Sequence, residues 1–184
     1  MEEAPYLKHD FSAARRVALL SIASEHSEDH HVDEAVAVFE RARSDVEKHL
    51  YEDTLSFLRW LRSKGVDCCV LTNGSADLDD CSPNLRSLLT FSLNARDVGA
   101  LKPSVVPFIA VAQRSGVPPH RILYVGDSYL HDVVGANKAG MLTALLTREA
   151  KEGIVYSSVR PDIELETLNP DVFSEKVEAL KQSI

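Results

Sequence analysis

Long apolar runs are missing from this chain; none approaches the roughly 20 residues that a bilayer-spanning helix requires. The opening stretch MEEAPYLKHD has neither the basic start nor the apolar centre of a secretion signal, so a soluble cytoplasmic protein without a membrane partner is expected. Cysteine is scarce. Cys68 and Cys69 are adjacent inside an apolar run and Cys81 stands alone, which is neither metal-site spacing nor a paired disulfide framework, so buried reduced thiols are expected. Basic clusters are absent too: 20 Lys and Arg face 28 Asp and Glu, a formal net charge of -8, and no cationic stripe offers itself to a phosphate backbone. Nucleic acid is therefore not an expected partner. What is present, 45% hydrophobic and 26% charged residues over 184 positions, suffices for one ordinary globular domain with a small appendage.

The apolar period changes once along the chain. Through residues 1–50 it is helical, with Val32, Ala35, Val36, Phe39, Ala42, Val46 and Leu50 recurring at three- and four-residue steps, and two helices are expected, parted near SEHSEDHH. A third helix is expected over residues 54–64, with Asp53 capping its start and Gly65 suited to its end. VDCCVLTNG then reads as a short buried strand closed by an Asn-Gly turn. The theme repeats: Ser82-Pro83 opens a short helix, TFSLN is a strand, SVVPFIAVAQRSG a helix ending at Gly116, and RILYV a strand. A helix to about Gly140, the strand LTALL, a weaker strand DIELE and a C-terminal helix from about Pro170 follow, with a loop through TREAKEGIVYSSVR. Strands alternating with helices predict an α/β protein, a Rossmann-like parallel sheet with helices on both faces. The expected organisation is a helical segment over residues 1–50 and an α/β core domain over residues 51–184.

In open parallel sheets ligands sit beyond the carboxyl ends of the strands, so residues just after a strand run are the ones to weigh. Three stretches qualify. In Leu71-Thr72-Asn73-Gly74-Ser75 a hydroxyl, an amide and a glycine-opened turn can turn backbone N–H groups toward an anion, although an Asn-Gly turn needs no such role. In Gly99-Ala100-Leu101-Lys102-Pro103 a lysine on a proline-stiffened loop can neutralise a phosphate or carboxylate, although lone lysines usually do nothing. In ILYVGDSYLHDVVGANKAGM, Asp127 follows a strand and can coordinate a hard cation such as magnesium, which prefers one or two carboxylates plus water and substrate oxygens. Asp132 lies near the first turn of the next helix, where it can bind through water or orient another ligand; both carboxylates could equally be helix caps. Asp29, His30, His31 and Asp33 could hold a metal but read more simply as a solvated inter-helix loop, and Trp60 reads as core.

Taken in order, the three stretches resemble the motifs of the haloacid dehalogenase-like hydrolase superfamily, over roughly residues 51–170. VLTNG looks like that family's second motif, GALKPSVVPF is similar to its third, and VGDSYLHDVVGANKAGM matches the fourth in its Gly-Asp-four-residues-Asp form. The resemblance implies a magnesium-dependent phosphatase acting on a small phosphorylated metabolite. In it Thr72, helped by Asn73 and Gly74, would bind the phosphoryl group, Lys102 would steady nucleophile and phosphate, and Asp127 with Asp132 would form the acidic metal site. The family's first motif, an apolar run closed by Asp-x-Asp on the central strand, has no counterpart here: Asp77-Leu78-Asp79 follows the Thr72 loop, and Asp10 follows YLKH. In the family that aspartate attacks phosphorus and its neighbour moves the proton. The expectation is a phosphohydrolase chain truncated at its N-terminus, starting inside a helical cap, without its central first strand, inactive as given and weak for magnesium. The rival is a non-catalytic binding or scaffold protein on the same fold. A receiver-like phosphoacceptor, with Asp127 itself phosphorylated, fits the order of Thr72 and Lys102 poorly.

Overall fold

The computed structural model describes residues 11–26, 31–44, 46–74, 82–148 and 159–183. By contacts the chain forms two units, one of Met1–Leu50 with Cys68–Leu101, the other of Tyr51–Asp67 with Lys102–Ile184. Asp10 and the Asp77/Asp79 pair lie outside the described residues, as do Asp29 and His30 and most of the expected loop before Arg160.

The first unit opens with helices α1 (Phe11–His26) and α2 (Val32–Ser44) and a single 3-10 turn, Val46–His49. Among the described side chains of α2 only Val32 is buried, whereas Val17, Ile22, Val38 and Phe39 are exposed. Arg16 reaches across the pair to Asp33 at 2.8 Å, on open surface where such a contact contributes little. Strands β1 (Cys69–Thr72) and β2 (Phe91–Asn94) then pair in parallel, Leu71 opposite Leu93, with α4 (Pro83–Leu88) between them in sequence. Ser82 starts α4 as expected: its hydroxyl accepts from Leu85 N, and Pro83 takes the position whose N–H needs no partner. The same hydroxyl donates to Glu47 at 2.6 Å while Asn84 donates to the other carboxylate oxygen, so one glutamate fastens the 3-10 turn to the head of α4. Asn94 and Asp97 form a reciprocal capping box on the one-turn helix α5 (Ala95–Val98), which Gly99 ends in the left-handed region, at φ 71°. Cys68 and Cys69 are reduced but only half-buried.

The second unit holds α3 (Glu52–Ser63), α6 (Val105–Ser115) and a parallel sheet in the order β3 (Leu123–Gly126), β4 (Leu142–Leu146), β5 (Ile163–Leu165). The π-helical turn Tyr129–Val134 and α7 (Gly135–Lys138) follow β3, and α8 (Pro170–Ser183) closes the chain. Residues alternate in facing along a strand, and β4 shows it: Ala144 and Leu146 pack with Leu123, Ile163 and Leu165 under Phe173, Val177 and Leu180 of α8. The intervening residues look the other way, where Tyr124 meets Phe108 of α6 edge to face at 4.9 Å. Thr143 is fully buried and satisfied, its N–H and hydroxyl both donating to Asp162 at 2.7 and 2.8 Å. Trp60, expected as core, is only half-buried, stacked on Phe57 and edge-on to Phe173.

Asp53 departs from expectation. The helix begins two residues earlier, at Glu52, its N-cap Tyr51 makes no side-chain cap, and Asp53 is spent elsewhere. Arg148 grips its carboxylate with both terminal nitrogens, at 2.7 and 2.8 Å, and Thr167 and Leu168 N each donate to Oδ2 at 3.0 Å. The Arg148 guanidinium also lies 4.0 Å from the centre of the Tyr51 ring.

Candidate active site

The Thr72 stretch, in the first unit, is the tight turn its Asn-Gly pair predicts. The Thr72 Oγ1 accepts from Gly74 N at 2.9 Å, and a Cβ at Gly74 would sit 3.1 Å from that oxygen. Because the hydroxyl is used as an acceptor, its own proton remains to be donated outward.

Lys102, Asp127 and Asp132 belong to the second unit. Lys102 opens the loop into α6, and its bond to Pro103 is cis. Its ammonium donates to Asp132 Oδ1 at 2.6 Å, with side-chain exposures of only 13% and 5%, so this is a buried pair in which each charge answers the other. Tyr124 completes a triangle: its phenol oxygen accepts from Lys102 at 3.0 Å and donates to Asp132 Oδ1 at 3.3 Å. The second carboxylate oxygen of Asp132 accepts from Ser128 N at 3.0 Å. Both oxygens are thus engaged by protein donors.

The local fold explains how Asp132 comes to lie there. Ser128 caps the turn after β3 with its hydroxyl on His131 N. Its carbonyl accepts from Asp132 N at 2.8 Å and, one residue further, from Val133 N at 3.4 Å; that wider π-helical spacing is common at functional positions. Gly126 permits the approach, because a Cβ there would fall on the Asp132 carboxylate itself. Gly126→Ala should therefore cost about 1–3 kcal/mol in urea unfolding, the usual range for overpacking, and wild-type stability in that variant would contradict the packing described.

Asp127, between Gly126 and Ser128, is exposed and makes no hydrogen bond or ion pair among the described residues. It is the one carboxylate of this turn open to a ligand. Its hard oxygens match magnesium, although among the described residues no three His, Cys, Asp or Glu side chains gather to hold a metal. His31 is exposed and pairs weakly with Glu34 at 4.0 Å, away from any such cluster. The structure thus brings Lys102 and Asp132 into contact next to Asp127 in sequence, while Thr72, Asn73 and Gly74 belong to the other unit. Sequence reasoning missed Tyr124 and Ser128. Tyr124 stood in an apolar run, and only its polar tip, on a strand leading straight into the Gly-Asp turn, hinted at more. No helix among the described residues is long and apolar enough to cross a membrane.

The chain resembles known proteins. A family profile for haloacid dehalogenase-like hydrolases matches residues 2–140. A glyceraldehyde 3-phosphate phosphatase of Methanopyrus kandleri is 31% identical over 53% of this chain and 43% of its own length. The mouse (Mus musculus) haloacid dehalogenase-like hydrolase domain-containing protein 3 is 30% identical over 72% of this chain and 57% of its own. A solved 2-haloacid dehalogenase from Pseudomonas syringae pv. Tomato DC3000 superposes with a TM-score of 0.80 at 29% identity, covering 95% of this chain and 76% of that one. The chain spans about half the length of the curated relatives it matches.

Proposed function

Since the chain belongs to the haloacid dehalogenase-like hydrolase family, we propose that its site serves the hydrolysis of small phosphate monoesters with magnesium, and that the chain as given binds without turning over. The observation that carries this is the buried Lys102–Asp132 pair, in which Asp132 sits on the strand-to-helix turn that also carries the open Asp127 carboxylate. The phosphatase name of the Methanopyrus kandleri relative supports the substrate class. In this reading the hydroxyl of Thr72, with the Asn73-Gly74 turn, donates to a phosphoryl oxygen. Lys102 supplies the positive charge that phosphoryl transfer needs, and Asp132 holds that ammonium in place. Asp127 would hold the magnesium, weakly, as a single open carboxylate. When bound, magnesium supplies further neutralisation of phosphoryl charge.

Turnover needs a nucleophile and a proton carrier, and this sequence carries no apolar run closed by Asp-x-Asp. The expected result with a generic aryl phosphate is therefore no turnover above buffer, with or without magnesium, together with weak manganese or magnesium binding that Asp127→Ala removes. Robust hydrolysis by the unmutated chain would reveal a nucleophile elsewhere. Metal binding that survives Asp127→Ala would overturn the metal assignment. A non-catalytic binding role is the second reading, favoured by the same missing run; phosphate bound with no hydrolysis, in a chain given an upstream strand ending in Asp-x-Asp, would decide for it.

A further inference from the structure

The family reading gives the hydroxyl of Tyr124, in the second unit, no task. Tyr124 lies on β3, its ring wedged against Phe108 of α6 and its hydroxyl at the Lys102–Asp132 pair. Ring packing alone would be served by phenylalanine. The hydroxyl is in the one place where it can accept from the ammonium and donate to the carboxylate at once. The ring centre is also 5.6 Å from the Lys102 nitrogen, so the aromatic face and the phenol oxygen both bound where that nitrogen can go.

We propose that Tyr124 is a positioning residue of the phosphate site: its hydroxyl fixes the direction of the Lys102 ammonium and shares the Asp132 carboxylate with it. The argument is one of geometry. A lysine stem has four rotatable bonds, and a single contact to Asp132 Oδ1 leaves its nitrogen free to swing about that oxygen. A second acceptor at 3.0 Å, itself tied to the same oxygen at 3.3 Å, closes a three-membered ring of hydrogen bonds and fixes two of the three ammonium hydrogens. By donating to Asp132, the phenol also takes part of the carboxylate's accepting capacity, leaving more of the lysine's charge for a ligand. Phe108 is fully buried and holds the ring edge-on, and Gly135 admits Phe108, since a Cβ there would lie 2.6 Å from its ring. The support therefore runs from α6 and α7 through the phenol to the lysine.

This rests on the reading of Lys102 as the phosphate-facing cation, and the test separates the two. Inorganic phosphate is titrated into the full chain and into Tyr124→Phe and Lys102→Met, while nitrogen-detected NMR follows the lysine ammonium signals. Tyr124→Phe keeps the ring and its contact with Phe108, so a purely structural role predicts no change. The expected result is phosphate affinity about fivefold weaker, the worth of one lost hydrogen bond, with a Lys102 ammonium signal broadened by exchange and unaltered circular dichroism. Wild-type affinity in Tyr124→Phe alongside lost binding in Lys102→Met would overturn the inference and leave the family reading intact. Wild-type affinity in Lys102→Met, or no phosphate binding by the unmutated chain, would overturn both. If Tyr124→Phe does not fold, the unmutated chain still decides: its Lys102 ammonium must give a slowly exchanging signal with magnetisation transfer to the Tyr124 ring, and its absence sinks the proposal.

Discussion

Asp132→Ala is expected to lower the unfolding free energy by about 3–5 kcal/mol, the range for removing one partner of a buried ion pair. The Lys102 ammonium, only 13% exposed, would lose the Asp132 carboxylate. Ser128 N would lose its acceptor in the same step, and with it the turn that presents Asp127. For a chain of this size each kcal/mol corresponds to about 2–4 °C, so thermal melting should fall by about 10 °C. The control that gives the experiment meaning is the double variant Lys102→Met with Asp132→Leu. Replacing both charges with apolar groups of similar volume is often neutral or even stabilising, because neither ion then has to be desolvated. The double variant should therefore recover most of the loss while binding no phosphate. A double variant as unstable as Asp132→Ala would show that the carboxylate matters for some reason other than its pairing. Stability and binding part company here, which is the expected mark of a charge pair retained for what it binds.

The strands were legible because each is a short β-branched or apolar run bounded by Gly, Pro or Asn, and β1 to β5 fall where those runs fall. Helix ends marked by local chemistry were legible too: Ser82 with Pro83 for α4, and Gly116 after α6, at φ 68°. The turn after β3 was read as ordinary helix. Its π-helical spacing depends on one carbonyl, that of Ser128, serving two N–H groups, and no apolar period encodes that. The acids of the motif were visible in the sequence, but their division of labour was not. Asp127 and Asp132 are five positions apart and chemically alike; that one is exposed and the other 3% exposed follows from where the chain packs around Gly126. Asp53 was misassigned for a related reason. Its immediate neighbours offer a helix to cap, whereas the partner that claims it is Arg148, 95 residues along the chain.

That long-range contact makes the second large prediction. The Arg148 guanidinium, supported by the donors from Thr167 and Leu168, holds the Asp53 carboxyl at about 2, down from the usual 3.8. A depressed carboxyl contributes stability that is fully present above its unfolded value and is lost as pH falls through its folded one. The window here therefore runs from about pH 4 down to about pH 2. A shift of this size corresponds to at most about 2.5 kcal/mol, and solvent at the partly exposed pair reduces it to about 1–2 kcal/mol. Asp53→Asn keeps the shape and cannot ionise. Urea unfolding of both chains should show the wild type ahead near neutral pH, with the gap closing across that window. A gap unchanged down to about pH 2 would mean that the pairing with Arg148 contributes nothing through charge. Asp53→Ala goes further, because it strands a half-buried guanidinium, a hydroxyl and the Leu168 N–H together. It should cost about 2–3 kcal/mol near neutral pH, or about 5–10 °C in melting temperature. What loosens is the junction of α3 with the segments after β4 and β5, since this one carboxylate ties all three. Lys102 lies outside those segments, so Asp53→Ala should weaken the second unit while leaving phosphate affinity at low temperature unchanged, the reverse of what Tyr124→Phe is expected to do.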